Sequence, residues 1–402
     1  MSISCRHSSV VGDLFVVGRA GRRCGRPLPR WGVRRYGTGI TAWWLLAALV
    51  LFLCGLACAE GITVPSGFRI DVFAAGLGGA RGLAVDPAGV LLVSVPARGR
   101  VLALPDRAAT GRASAAVTVV DDLDLPHGMA FKRSYLYVAQ TDRIVRYRYD
   151  TQKLSAGEPT VVIRGLPDRT HHWTRSIAFG PDDKLYVAIG SSCNACLERD
   201  PRRAAIVRYD PDGGGEQRYA SGLRNPVGLA FHPWTGALWT TVNERDWPGG
   251  EAPPDYVTDV RPAAAYGWPR CYAQARAFFP DPKFAESGRC EGLTPPAVEL
   301  PPHAAPLGLA FYTGTQFPPE YAGNLFVALH GSRAGRLPSG YAIARIRFRD
   351  GRATAIEPFS TGWRSPDHVL GRPVDLVVGR DGSLLVSDDH GDRVYRVSYT
   401  PP

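Results

Sequence analysis

The chain has 402 residues, 45% of them hydrophobic and 21% charged, with 45 glycines, 34 prolines and a formal net charge of +10 at pH 7. That length and apolar fraction exclude a disordered chain and leave room for a large core. The charge invites a nucleic-acid reading, but residues 1–59 hold eight arginines against one acid, Asp13, and carry +7 of it. Only about +3 is left for the rest, so no nucleic-acid partner is expected.

In chain order, the basic segment comes first. Its arginines precede an apolar run, 40–59, that ends Ala57-Cys58-Ala59 before Glu60. A basic start, an apolar middle and small residues at the end make the pattern of a secretory signal. Residues 1–59 are therefore set apart from the fold, and a periplasmic or secreted protein is expected, with no stable membrane insertion after cleavage. The run of about 20 residues is also long enough to stay as an anchor.

Residues 60–402 are read as one folded domain. Four cysteines fall there, Cys193 and Cys196 in one stretch, Cys271 and Cys290 in another. Two local pairs in an exported chain predict two disulfides. Haem attachment would need a histidine after Cys196, where Leu197 stands, and zinc would need closer spacing in the second pair.

A unit starting Gly-Leu-Ala-Phe, or close to it, recurs six times. It begins at Gly82, Gly128, Ser176, Gly228, Gly308 and Asp375, each time followed by a polar turn and further apolar runs. In the third copy Gly180-Pro181-Asp182-Asp183 separates the β-rich runs 176–179 and 185–189, a strand–turn–strand signal. Six such units predict an all-β, six-bladed β-propeller of four-stranded antiparallel blades. The last copy supplies three strands, and 68–73 is an orphan strand near the start of the domain, so one blade is expected to be closed by both ends. The stretches between copies four and five (243–302) and between five and six are long enough to read as functional loops.

Four loop segments carry the polar residues from which chemistry could be built. His171-His172-Trp173-Thr174-Arg175, Gly222-Leu223-Arg224-Asn225-Pro226 and Gly371-Arg372-Pro373-Val374-Asp375 each lead into the first strand of a copy; Asn243–Asp255 follows copy four. Lead-in positions converge on one mouth of a propeller channel. Arginines there suit an anionic planar ligand, and a neutral histidine can take the proton of a sugar hydroxyl. His172 is the candidate base, with His171 as the neighbouring alternative. His232 and His390, in unsupported loops, are read as surface residues.

The order of these segments, together with Tyr266-Gly267-Trp268-Pro269, His330-Gly331-Ser332 and Gly340-Tyr341, resembles the glucose/sorbosone dehydrogenase family over most of residues 62–399. The resemblance implies a pyrroloquinoline quinone (PQQ) over the channel, a calcium ion, a small sugar substrate and an external electron acceptor, a cytochrome or the quinone pool. It places His172 as the base and Asn225 and Arg372 against the quinone. Arg224 and Arg333 join them as candidate cofactor residues, and Asn243, Asp246 and Asp255 as candidate calcium ligands. Three positions depart from the family: Val227 replaces a glutamine, Ala342 a lysine and Val374 the second arginine of a pair. A non-catalytic binding propeller, or a metal-dependent sugar lactonase, is the alternative that these departures keep open.

Overall fold

The computed structural model describes residues 61–401 apart from 169–170, 248–252, 288 and 333–338. The leader 1–59 and Arg333 lie outside the described residues. Six sheets form the six blades, each of four antiparallel strands, with one short extra strand, Ala264–Ala265, added in parallel to blade three. Their innermost strands are Leu83–Val85, Met129–Lys132, Arg175–Phe179, Pro226–Phe231, Pro306–Phe311 and Pro373–Val378, at the six copies of the repeat. Each touches the next and the last touches the first, which closes the ring.

The repeat's glycines are explained by that closure. A Cβ on Gly82 would lie 2.2 Å from the carbonyl oxygen of His127, and one on Gly228 2.5 Å from that of Leu307, so adjacent inner strands pack backbone to backbone only where a side chain is lacking. The second strand of a blade is covered on both faces and reads as a continuous apolar run rather than an alternating one. Leu91–Val95, Leu185–Ile189 and Leu325–Leu329 are buried at every position. Outer strands such as Ser155–Ile163 are largely exposed.

Phe68–Ala75 pairs antiparallel with Arg393–Tyr399 and completes the sixth blade as its outer strand, so both ends of the domain share one sheet. The Phe68 ring fixes the seam, 4.8 to 5.2 Å from Phe317, Tyr321, Phe359 and Tyr399.

Cys193–Cys196 and Cys271–Cys290 are both disulfides. The stretch 243–302 is more than a loop: it holds blade four's outer strands, Tyr256–Val260 and Val298–Glu299, and a separate hairpin, Cys271–Gln274 with Ala277–Pro280. His232 is not a surface residue. It is buried among the rings of Phe311 and Phe348, and its Nδ1 accepts the backbone N–H groups of Trp234 and Thr235 as the cap of a turn. No helix among the described residues is long and apolar enough to cross a membrane.

Candidate active site

The inner strands enclose a channel of about 190 Å³, lined by His127, Ser176, Val227, Leu307 and Asp375 among others. A larger hollow of about 960 Å³ lies at the turns 88–90 and 379–383, at the opposite ends of the strands, and contains none of the candidate residues. The candidate residues lie instead around the lead-in segments.

Arg175 opens blade three's inner strand and is fully buried. Its guanidinium donates to the carbonyls of Pro167, His172 (2.8 Å) and Thr174 (2.7 Å), which ties the backbone at those residues to the start of the strand. His172 meets the end of the second strand, where Nδ1 lies 2.9 Å from the carbonyl oxygen of Ser191 and 3.1 Å from its Oγ. A carbonyl only accepts, so Nδ1 carries the hydrogen and Nε2 keeps its lone pair. Burial, with the nearby Arg224 charge, pushes the His172 pKa down to about 3. The imidazole is therefore neutral and basic at one defined atom. His171 is exposed, edge-on to His172 at 5.6 Å.

Asn225 meets His172 across Gly190. A Cβ on that glycine would lie 2.5 Å from the His172 Cβ and 2.4 Å from Asn225 Oδ1. Asn225 Oδ1 is buried without a hydrogen-bond partner among the described residues. An orphaned amide oxygen beside a fixed base marks a place where a ligand completes the bonding.

A second arc of the mouth is cationic. Arg372 donates from Nε to the carbonyl of His330 (3.1 Å) and from Nη2 to that of Gly331, with its guanidinium 5.6 Å from the Tyr341 ring. Arg81, the lead-in residue of blade one, is ion-paired with Asp389, which also accepts from His330 Nε2 at 2.9 Å. Arg81 Nε is buried without a partner among the described residues. Burial opposes the Asp389 charge, but the His330 hydrogen bond and the surrounding cations hold its pKa below the usual carboxylate range. Trp173 joins the two arcs. Its ring lies 5.7 Å from the Arg81 guanidinium and edge-on to His127 at 5.8 Å. Neither ring nitrogen of His127 has a hydrogen bond of normal geometry, and burial lowers its pKa to about 3.

The family profile described as TrAA12-like matches residues 62–400. The chain belongs to the TrAA12-like family. It is 26% identical over 401 aligned positions to the pyrroloquinoline quinone-dependent pyranose dehydrogenase of Coprinopsis cinerea, covering 83% of this chain but only 54% of that protein. An uncharacterized protein of Borreliella burgdorferi is 28% identical, with 88% of this chain and 96% of that one covered. Among solved structures, the holo form of the Coprinopsis cinerea pyranose dehydrogenase PQQ domain superposes with a TM-score of 0.73 at 23% identity, over 84% of this chain and 97% of that one. The calcium structure of the Trichoderma reesei family AA12 enzyme gives 0.75 at 21%, over 86% and 98%. At those identities the structural likeness speaks for the fold alone.

Several expected residues of this TrAA12-like chain sit differently from their sequence reading. Arg224 is buried and its fork is committed to the protein: Nε and Nη2 reach Asn194, and Nη1 reaches the carbonyls of Asn243 and Glu244. Asp255 is buried as a bracket, with Oδ1 accepting the Glu244 N–H and Oδ2 that of Ala305, both at 2.8 Å. Asp246 has its side chain 61% exposed, 3.2 Å from His303, and Asn243 Nδ2 donates to the Pro306 carbonyl. Val227 and Val374 pack together with Leu307 as a small apolar cluster lining the channel, so two of the three departures from the family pattern are one packing change. Ala342 starts blade five's third strand, half-buried. Sequence reading passed over Arg81, His127 and Asp389. The lead-in rule that found His172 would have found the first two, since they stand directly before Gly82 and Gly128.

Proposed function

We propose that the protein is a PQQ-dependent dehydrogenase of a sugar hydroxyl, exported through its leader, with His172 as the general base. The observation that carries this is the fixed tautomer: Nδ1–H is spent on the Ser191 carbonyl, so Nε2 is the one open acceptor. The mouth fits an anionic quinone in its donor set. Arg372 has Nη1 uncommitted among the described hydrogen bonds and Arg81 a buried Nε without a partner among them, while Asn225 Oδ1 is an open acceptor for an N–H or O–H of a ligand. Arg333 is proposed as a further contact. A bound quinone would supply the acceptor for a hydride.

This chain's residues then do three things. His172 Nε2 takes the hydroxyl proton of a substrate lying over it, which leaves the carbon more ready to release hydride. Arg372 and Arg81 hold carboxylates of the ligand by charge and by directed N–H groups, and the Tyr341 and Trp173 rings flank them. Burial around His172, His127 and Asn225 keeps water from competing at the reacting atom. Calcium is part of the proposal through Asn243 Oδ1 and Asp246, oxygen donors of the type a hard cation takes. Melting the holoprotein with and without a chelator tests it: a lower midpoint supports the ion, and an unchanged midpoint with unchanged activity removes it.

The catalytic assignment predicts a division of labour. His172→Ala lowers kcat by about two to four decades while the quinone titrates as in wild type. Arg372→Ala raises the quinone concentration needed for half-activity and leaves saturated turnover closer to wild type. Steady-state rates across quinone and aldose concentrations check both. A His172→Ala protein that turns over at the wild-type rate with quinone saturating contradicts the assignment.

A further inference from the structure

Beyond the base itself, the loop that holds it has a chemistry of its own. Residues 191–198 leave blade three's second strand and turn through a small ring closed by Cys193–Cys196, whose Cα atoms are 6.1 Å apart. Both cysteines are half-exposed, whereas Cys271 of the other disulfide is buried. Ser191 Oγ donates to the Cys193 carbonyl at 2.7 Å, so the hydroxyl and carbonyl that meet His172 Nδ1 are tied directly to the ring. Within the ring, Asn194 accepts from Arg224 on both its carbonyl and its Oδ1, at 3.0 Å each. It also exchanges two hydrogen bonds of 2.9 Å with Asp246. Lys283 Nζ donates to the Ala195 carbonyl at 2.6 Å. Glu198 caps the turn by accepting from Ser192 N and Oγ. Three residues of the ring thus present acceptors to His172's partner, to Arg224, to Asp246 and to Lys283 at once. A free four-residue turn samples many conformations, and the disulfide is what confines it.

We propose that the Cys193–Cys196 ring is a positioning device for His172 that an external dithiol can open, a proposal that rests on the dehydrogenase reading above. A thiolate of the dithiol attacks one ring sulfur, breaking the S–S bond and forming a mixed disulfide. The second sulfur of the dithiol then displaces the protein's cysteine. Two electrons and two protons pass to Cys193 and Cys196, and the dithiol leaves as its own disulfide. With the ring open, the Ser191 carbonyl and hydroxyl are no longer held, Nδ1 loses its fixed acceptor, and both tautomers of His172 become populated. Arg224 loses its two Asn194 acceptors in the same step.

The test compares four forms of the full chain: oxidised wild type, wild type reduced under native conditions, Cys193→Ser/Cys196→Ser, and Cys271→Ser/Cys290→Ser as the control disulfide. Alkylation and mass analysis identify which pair the reductant opened. The primary readout is the ring ¹⁵N shifts of His172 between pH 4 and 8, independent of activity. His172 is faced by the charges of His171, Arg203 and Arg224, none of which is replaced in any of the four forms. In the oxidised protein the expected result is a single tautomer with hydrogen on Nδ1 and no titration in that range. In both ring-opened forms the tautomers mix and His172 titrates closer to the ordinary histidine range. kcat then falls about tenfold or more, with KM moving less, as for a misaligned base. The control pair should leave the His172 shifts unchanged. Identical His172 shifts in oxidised and ring-opened protein overturn the proposal, whichever way activity moves. If the shifts respond but oxidised wild type oxidises no aldose with quinone present, the device stands and the dehydrogenase reading falls.

Discussion

Burial acts in opposite directions on the histidines and the carboxylates of this mouth. His172 and His127 have pKa values lowered to about 3, so between that value and the ordinary histidine range the unfolded chain binds more protons. Their contribution to stability therefore rises with pH. Glu244 and Asp255 are raised to about 7 by burial, so from the ordinary carboxylate range up to about 7 the folded chain binds more protons. Their contribution falls as pH rises through the same window. Glu244→Gln removes one of the opposing slopes. Relative to wild type it should gain on the order of 2–3 kcal/mol between pH 5 and 8, read from urea melts at the two pH values. Equal differences at both pH values would show that Glu244 does not ionise late. At this scale His172 and Asn225 were legible as candidates because each lies in the short segment leading into a copy of the repeat, four residues before Ser176 and three before Gly228. The sequence misled at Arg224, because an arginine fork satisfies carbonyls as readily as carboxylates, and nothing local distinguishes the two. Asp389 was invisible because its partners, Arg81 and His330, lie 308 and 59 residues away.

Strands were the most legible elements. Four of the six inner strands follow from a glycine that neighbouring backbones require, and the second strands from unbroken apolar runs. The hairpin 271–280 was missed because it packs outside the blades and shows no repeat; only its cysteine hinted at order. Blade six makes the closing strand a test of its own. Phe68→Ala empties a site among four aromatic rings that joins blades five and six, and a loss of about 3–5 kcal/mol is expected. Thermal melting checks it. A loss below about 1 kcal/mol would mean that the main-chain ladder with Arg393–Tyr399 alone secures the ring.

At the scale of the whole molecule, the propeller's use is geometric. Segments distant in sequence arrive at one mouth: Arg81 and His127 from the lead-ins of blades one and two, His172 and Asn225 from those of three and four, Arg372 from that of six, and His330 from the end of blade five's second strand. Repetition supplies the scaffold, and single departures from the repeat supply the chemistry. Val227 and Val374 show the converse, since they pack together with Leu307 and make that part of the channel lining apolar. Every role assigned to the residues of this mouth depends on one ligand. Titrating the purified full chain with PQQ, followed by calorimetry and by dye reduction with an aldose, measures binding and turnover in one preparation. Saturable binding at one quinone per chain, with sugar-dependent dye reduction that follows occupancy, is the predicted result. Absence of saturable quinone binding would contradict the account and make this mouth a binding surface without redox chemistry.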